Sequence, residues 1–250
     1  AAKAEASAGA VPAGPAPTDR PGGEAAARGT APRIAVVIDD LGDSLETARK
    51  VLALEPAVTV AVIPFRAASA VVAAAAVQNG REVILHLPLE PEQGAAMTGG
   101  SGFLRASMEP QHIESQLERD LRAVPYIVGV NGHMGSRFTS DVRAMRALLA
   151  ALRARGLFFL DSKTSPESVA AEVAAGLQVP FAERSVFLDH DPAPAAVAGA
   201  LAVAATGARR TGQAIAIGHP HASTLAALAA WLPAAARDGF EIVPVSALVR

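Results

Sequence analysis

The chain has 250 residues, a formal net charge of −2 and 51% hydrophobic residues, enough for a sizeable core, yet no apolar run approaches the roughly 20 residues of a membrane helix. A near-neutral charge and 4% aromatic content argue against nucleic acid as a partner, removing both the bulk electrostatic attraction and the stacking platforms for single strands. With no cysteine, disulfides, thiolate metal sites and a cysteine nucleophile are excluded, so any metal must be held by His, Asp or Glu.

Residues 1–31 are rich in Ala, Pro and Gly and nearly free of large apolar side chains. Such a stretch buries too little surface to offset its ordering entropy, and it is expected to be a disordered tether. It has neither an initiator Met nor an apolar signal core, and a targeting segment removed upstream is the expectation. Residues 32–250 then read as a single domain. Short β-rich runs occur at 33–38, 58–63, 82–87, 126–130, 157–160, 186–189, 214–217 and 241–245. Between them lie helical stretches at 44–54, 66–79, 110–123, 141–155, 166–176, 192–208 and 223–237. In the third of these, Ile113, Leu117 and Leu121 fall four apart with charge on the remaining face, the pattern of a helix packed on a sheet. Gly80, Gly156 and Gly239 each sit between a helix and a strand, where a left-handed cap is needed.

The strand runs are mostly continuous apolar rather than alternating, as expected of strands covered on both faces, and the strand–helix alternation predicts parallel strands with right-handed crossovers. Seven or eight such units most simply close into a (β/α)7–8 barrel with outer helices, an open doubly wound sheet being the alternative. Neither a dinucleotide fingerprint nor a phosphate loop is present.

In a parallel barrel the carboxyl ends of the strands meet at one mouth, where function is built. Polar residues crowd those ends: Asp39 and Asp40 after the first strand, His86 with Glu90 nearby after the third, Asn131 and His133 after the fourth, then Asp161, then Asp189 and His190, then His219 and His221. Five of the six histidines lie there, and only His112 falls within a helix. Consecutive Asp39 and Asp40 would point opposite ways along an extended strand; where the chain turns at its end both can reach the mouth, the alternative being that one only caps the turn. His, Asp and Glu without Cys suit Zn²⁺ or a similar divalent ion, the equipment of metal-assisted amide or ester hydrolysis.

The stretches "IAVVIDDLG", "VTVAVIP", "EVILHLPLEP", "VGVNGHMGSRFTS", "FFLDSKTS", "VFLDH" and "AIAIGHPH", in this order from Arg33 to about Val249, resemble the divergent polysaccharide deacetylase family, a branch of the carbohydrate esterase and polysaccharide deacetylase superfamily. The resemblance implies a distorted barrel with a divalent metal, usually zinc, at its mouth and an acetylated glycan as substrate. It implies Asp39 as catalytic base, Asp40 and His86 as metal ligands, His219 as general acid and Asp161 as the acid that orients a catalytic partner. The family's second metal histidine, four residues after the first, is here Glu90. Either Glu90 replaces it or His133 does, and the constraint of Pro88 on the loop favours His133. His221 is expected to position substrate or add a ligand, and Asn131, Asp189 and His190 to stand behind the site. Arg137 and Lys163 would bind a substrate carboxylate or an oxyanion, or form rim salt bridges. Family members are commonly exported, so a periplasmic or other exported location is expected. A barrel that binds a glycan or peptide without hydrolysing it is the alternative function. A phosphoesterase is disfavoured by the lack of further basic pairs.

Overall fold

A computed structural model describes residues 31–55, 57–92 and 101–250. The tether expected over residues 1–31 therefore lies, but for Ala31, outside the described residues. Strands and helices alternate from β1 (Arg33–Leu41) through α1 (Leu45–Leu52), β2 (Thr59–Val62), α2 (Ser69–Gln78), β3 (Val83–Leu89) and α3 (Pro110–Ala123). They continue with β4 (Gly129–Met134), the one-turn α4 (Ser136–Thr139), α5 (Val142–Arg153), β5 (Phe158–Asp161), α6 (Ala170–Leu177), β6 (Phe181–Glu183) and β7 (Val186–Phe187). The rest is α7 (Pro194–Thr211), β8 (Gln213–Gly218), α8 (Ala222–Arg237), β9 (Glu241–Ile242) and a closing 3-10 turn, Val245–Leu248.

Every strand pairing is parallel, in the order β6-β5-β4-β3-β2-β1-β8-β7, with β9 beside the start of β1. The sheet curls until one extended segment bridges its edges. Arg184 N, just past β6, donates to Asp161 O of β5 at 2.9 Å; the next residue, Ser185, donates to Ile215 O of β8 at 2.8 Å. The segment thus changes partner midway, and this switch is the distortion of the (β/α) barrel. β6 was not expected from the sequence, because its three residues lie close behind a helix and form no apolar run. β4 also differs from expectation: residues 126–128 are not strand, and the strand runs on to Met134, so Asn131 and His133 lie within it.

Alternation along the strands builds two cores. Ile34, Val36 and Ile38 of β1 face the helices with Val60, Val62, Leu85 and Leu87. Ala35 and Val37 face inward with Ala61, Ile84, Phe158, Leu160, Ile215 and Ile217. Each fully buried Val or Ile contributes about 1.5–3 kcal/mol. The chain's own end plugs the floor: Val245 and Leu248 join the inner core, Arg33 Nη1 donates to Ala247 O at 3.1 Å and Phe181 N to Arg250 O at 2.8 Å. With the amino ends of the strands closed, the carboxyl ends are left as the open face. Gly80, Gly156 and Gly239 do take positive φ at the three helix–strand junctions.

Candidate functional site

The alternation that fills the inner core also delivers the polar groups. After Ala35 and Val37, the next inward residue of β1 is Asp39. His86 follows Ile84 on β3, Asn131 and His133 share a parity on β4, Ser162 follows Leu160 beyond β5, and His219 follows Ile215 and Ile217 beyond β8. Asp40 should then face the helices. Instead its φ of 57° makes a left-handed turn, and its carboxylate meets His86 and His133. Asp tolerates this region better than most residues, and such a conformation costs on the order of 1–3 kcal/mol. Phe65, Met134 and Lys163 take positive φ just at or past the ends of β2, β4 and β5, so four of the six such non-glycine residues described sit at the mouth.

Three ligand-type atoms converge there. Asp40 Oδ1 lies 3.1 Å from His86 Nε2 and 2.9 Å from His133 Nδ1, and the two nitrogens are 3.2 Å apart. Despite those distances Asp40 Oδ1 is buried without a hydrogen bond of acceptable geometry. Donors about 2.0–2.2 Å from a divalent ion lie about 2.8–3.1 Å from one another at octahedral angles and about 3.3–3.6 Å at tetrahedral ones. The triangle Asp40, His86, His133 therefore has the dimensions and donor set of a metal site.

The surroundings prepare His86 for this role. The β3–β4 register sets His86 opposite Asn131. Asn131 Nδ2 donates to Asp39 Oδ1 at 2.8 Å, since a carboxylate can only accept; Asn131 Oδ1 thus faces His86 Nδ1 at 2.9 Å and receives its proton. With the hydrogen on Nδ1, the Nε2 lone pair points at the cluster, the usual support of a metal-bound imidazole. Burial opposes charge on His86, but Asp39 and Asp40 outweigh it and push its pKa up to about 9. Burial likewise works against the Asp40 carboxylate, and the two imidazoles outweigh it and hold its pKa low. The centre of the cluster calls for positive charge. Asp39 is held above the ordinary carboxylate range by burial, and its Oδ2 has no hydrogen-bond partner among the described residues.

A second cluster faces the first. Asp189 Oδ1 contacts His219 Nδ1 at 2.9 Å, while Oδ2 accepts His219 N at 2.6 Å and Thr224 Oγ1 at 2.7 Å. His219 Nε2 lies 3.8 Å from Asp40 Oδ2. Burial opposes charge on His219, yet Asp189 and the nearby Asp39 and Asp40 raise its pKa. His221 caps the start of α8, exposed, its ring 5.7 Å from that of His219.

Several sequence expectations need correction. Glu90 does not approach the triad: Glu90 Oε2 accepts Ala106 N at 2.7 Å, and its backbone oxygen accepts Arg137 N and Phe138 N, so it fastens two loops. Asp161 points to the helix side and takes Lys163 N at 2.8 Å and Ser168 Oγ at 2.7 Å; the acid that orients an imidazole at the mouth is Asp189, on His219. For Arg137 and Lys163 the rim salt bridges are the alternative observed: Arg137, on the short α4, lies 4.0 Å from Asp141, an exposed pair. Lys163 pairs with Glu183 at 3.3 Å, and Lys163 and His190 line a cavity of about 390 Å³ beside the mouth with Arg184 and Phe187. Arg184, Ser162 and Thr224 were not anticipated; inward parity from Leu160 would have found Ser162, and recognising β6 would have found Arg184 beyond Ala182.

Residues 36–249 match the family described as divergent polysaccharide deacetylase. The uncharacterized protein YibQ of Escherichia coli (strain K12) is 37% identical over 196 residues, 78% of this chain, which spans only 61% of that relative's length. An uncharacterized protein of Haemophilus influenzae is 34% identical over 80% of this chain and 71% of its own. Among solved structures, the uncharacterized protein ATU2773 from Agrobacterium tumefaciens C58 superposes with a TM-score of 0.85 at 29% identity, covering 89% of this chain and 91% of its own. BA3943, a CE4 family pseudoenzyme from Bacillus anthracis, gives a TM-score of 0.50 at 15% identity over 87% of this chain and 65% of its own, a likeness of fold.

Proposed function

The chain belongs to the divergent polysaccharide deacetylase family, and on that premise we propose that it is a metal-dependent hydrolase releasing acetyl groups from an N- or O-acetylated glycan of the cell envelope. The observation that carries this reading is the buried triangle of Asp40 Oδ1, His86 Nε2 and His133 Nδ1. These residues would hold a divalent cation, zinc by the character of the donors, which when bound would polarise an acetyl carbonyl and acidify water. Asp39, with one oxygen tied to Asn131 and a pKa raised by burial, takes the proton of the attacking water. His219 is held by Asp189 in a fixed orientation, with its pKa raised by the neighbouring carboxylates, and it donates to the departing nitrogen or oxygen. Asn131 keeps the His86 proton on Nδ1.

The substrate and the exported location form one reading: an envelope glycan requires an enzyme on the same side of the membrane. No helix among the described residues is long and apolar enough to cross a membrane. The competing reading is a barrel that holds a glycan without cleaving it. It draws on Glu90 standing where the family's second histidine is expected and on the pseudoenzyme among the structural neighbours. Acetate release from chitooligosaccharides and O-acetylated sugars separates the two. Release that stops with chelator and returns with zinc supports the hydrolase; glycan binding by zinc-loaded, folded protein without acetate release supports the binding barrel.

A further inference from the structure

Arg184 sits where the bridging segment leaves β5 for β8. Its guanidinium is held on one edge by backbone: Nε donates to Ser162 O at 2.6 Å and Nη2 to Lys163 O at 2.9 Å. One face covers the Phe187 ring, with Cζ 4.9 Å from the centroid. Among the described residues it forms no salt bridge, and Nη1 has no hydrogen-bond partner. The nearest acid along β5, Asp161, is committed to Lys163 N and Ser168. A half-buried cation is thus fixed in place with no ion pair of its own among the described residues, Asp161 and Asp39 acting on it only through space, in the wall of the cavity of about 390 Å³ that Lys163, His190 and Phe187 also line. That volume suits a small ligand of one or two rings. The cavity adjoins the reacting groups: the Phe187 ring meets His219 edge-on at 5.3 Å, and Ser162 Oγ lies 3.4 Å from Asn131 Nδ2.

We propose that this cavity is a subsite for a carboxylate-bearing sugar, with Arg184 Nη1 receiving the carboxylate, so that the glycan is an acidic acetylated one. The inference rests on the hydrolase reading for the reaction but not for the binding. A planar guanidinium with its orientation fixed in advance is the side chain suited to a carboxylate, and its hydrogen bonds to an ionised partner are about twice as strong as neutral ones. The carboxylate recognition expected of Arg137 and Lys163 would thereby fall to Arg184.

The test is calorimetric binding to the zinc-loaded full chain of two acidic probes, an N-acetylglucosaminyl–N-acetylmuramic acid disaccharide and an acetylated galacturonate disaccharide, each beside its methyl ester. At least one acid should bind about tenfold or more tighter than its ester, and Arg184→Gln should erase that preference, with acid and ester then binding equally. A residue that only clamps the Ser162–Lys163 loop would weaken acid and ester alike. Should Arg184→Gln not fold, the wild-type comparison still decides, together with Arg184→Lys, which keeps charge but loses the fork and should reduce the preference. Equal affinity for acid and ester in both pairs overturns the proposal, as does a preference that survives Arg184→Gln. Acetate is assayed in the same samples; intact acid preference without acetate release would sink the hydrolase reading alone.

Discussion

Two clusters of Asp and His face each other across the barrel mouth, and they resolve burial differently. In Asp189–His219–His221 the carboxylate is saturated: two backbone or hydroxyl hydrogens and one imidazole occupy its oxygens. In Asp40–His86–His133 the carboxylate oxygen and two ring nitrogens sit about one ligand edge apart with no satisfactory hydrogen bond to Asp40 Oδ1. Proximity of Asp and His does not by itself make a metal site. The Asp189 cluster is built to orient an imidazole, whereas the Asp40 cluster has the spacing and donor set that could hold a cation. Asp120 on α3 shows a third outcome: it is fully buried, with one oxygen on Gln116 and the other without a partner among the described residues, and its pKa is pushed by burial up to about 7.

The largest expected effect tests the division itself. Asp40→Ala or His133→Ala should lower zinc affinity by well over the 10–100-fold typical of residues behind a metal site, whereas His221→Ala should leave it within a few fold, measured by competition with a chromogenic chelator. If both substitutions act alike, the two clusters share the ion and the comparison fails. Asp189→Asn should cut the rate of acetate release by roughly 10²–10⁴-fold with metal content unchanged; loss of metal instead would place Asp189 among the ligands. Asn131→Ala frees His86 to adopt the wrong tautomer and should weaken zinc binding by about 10–100-fold, without abolishing it. The smallest effect concerns Asp120. Its folded pKa of about 7 exceeds the ordinary carboxylate value of 3.8, so the folded chain holds the extra proton between those values, and stability falls as pH rises through that window. Asp120→Asn should flatten the slope and raise stability at pH 8 relative to wild type, read by urea unfolding at pH 5 and 8.

The sequence made the barrel legible because parallel strands buried on both faces leave long apolar runs, and glycines mark the helix–strand junctions. It placed His86, His133 and His219 at the mouth because inward parity carries each apolar column into a polar tip. It could not show why Asp40 joins Asp39 there: that depends on one left-handed residue. Nor could it assign Asp161 and Asp189 correctly. Both are strand-end acids, and only the pairing of β7 with β8 brings Asp189 beside His219, while the parity of β5 turns Asp161 outward. Arg184 was hidden because β6 is three residues long and has no apolar run to announce it.

The most direct test of the account is a zinc titration of the purified chain followed by anomalous diffraction at the zinc edge. The account predicts one tightly bound ion per chain, with Asp40, His86 and His133 within about 2.0–2.2 Å of it. An ion seated on Asp189, His219 and His221, or no uptake at micromolar zinc, would contradict it.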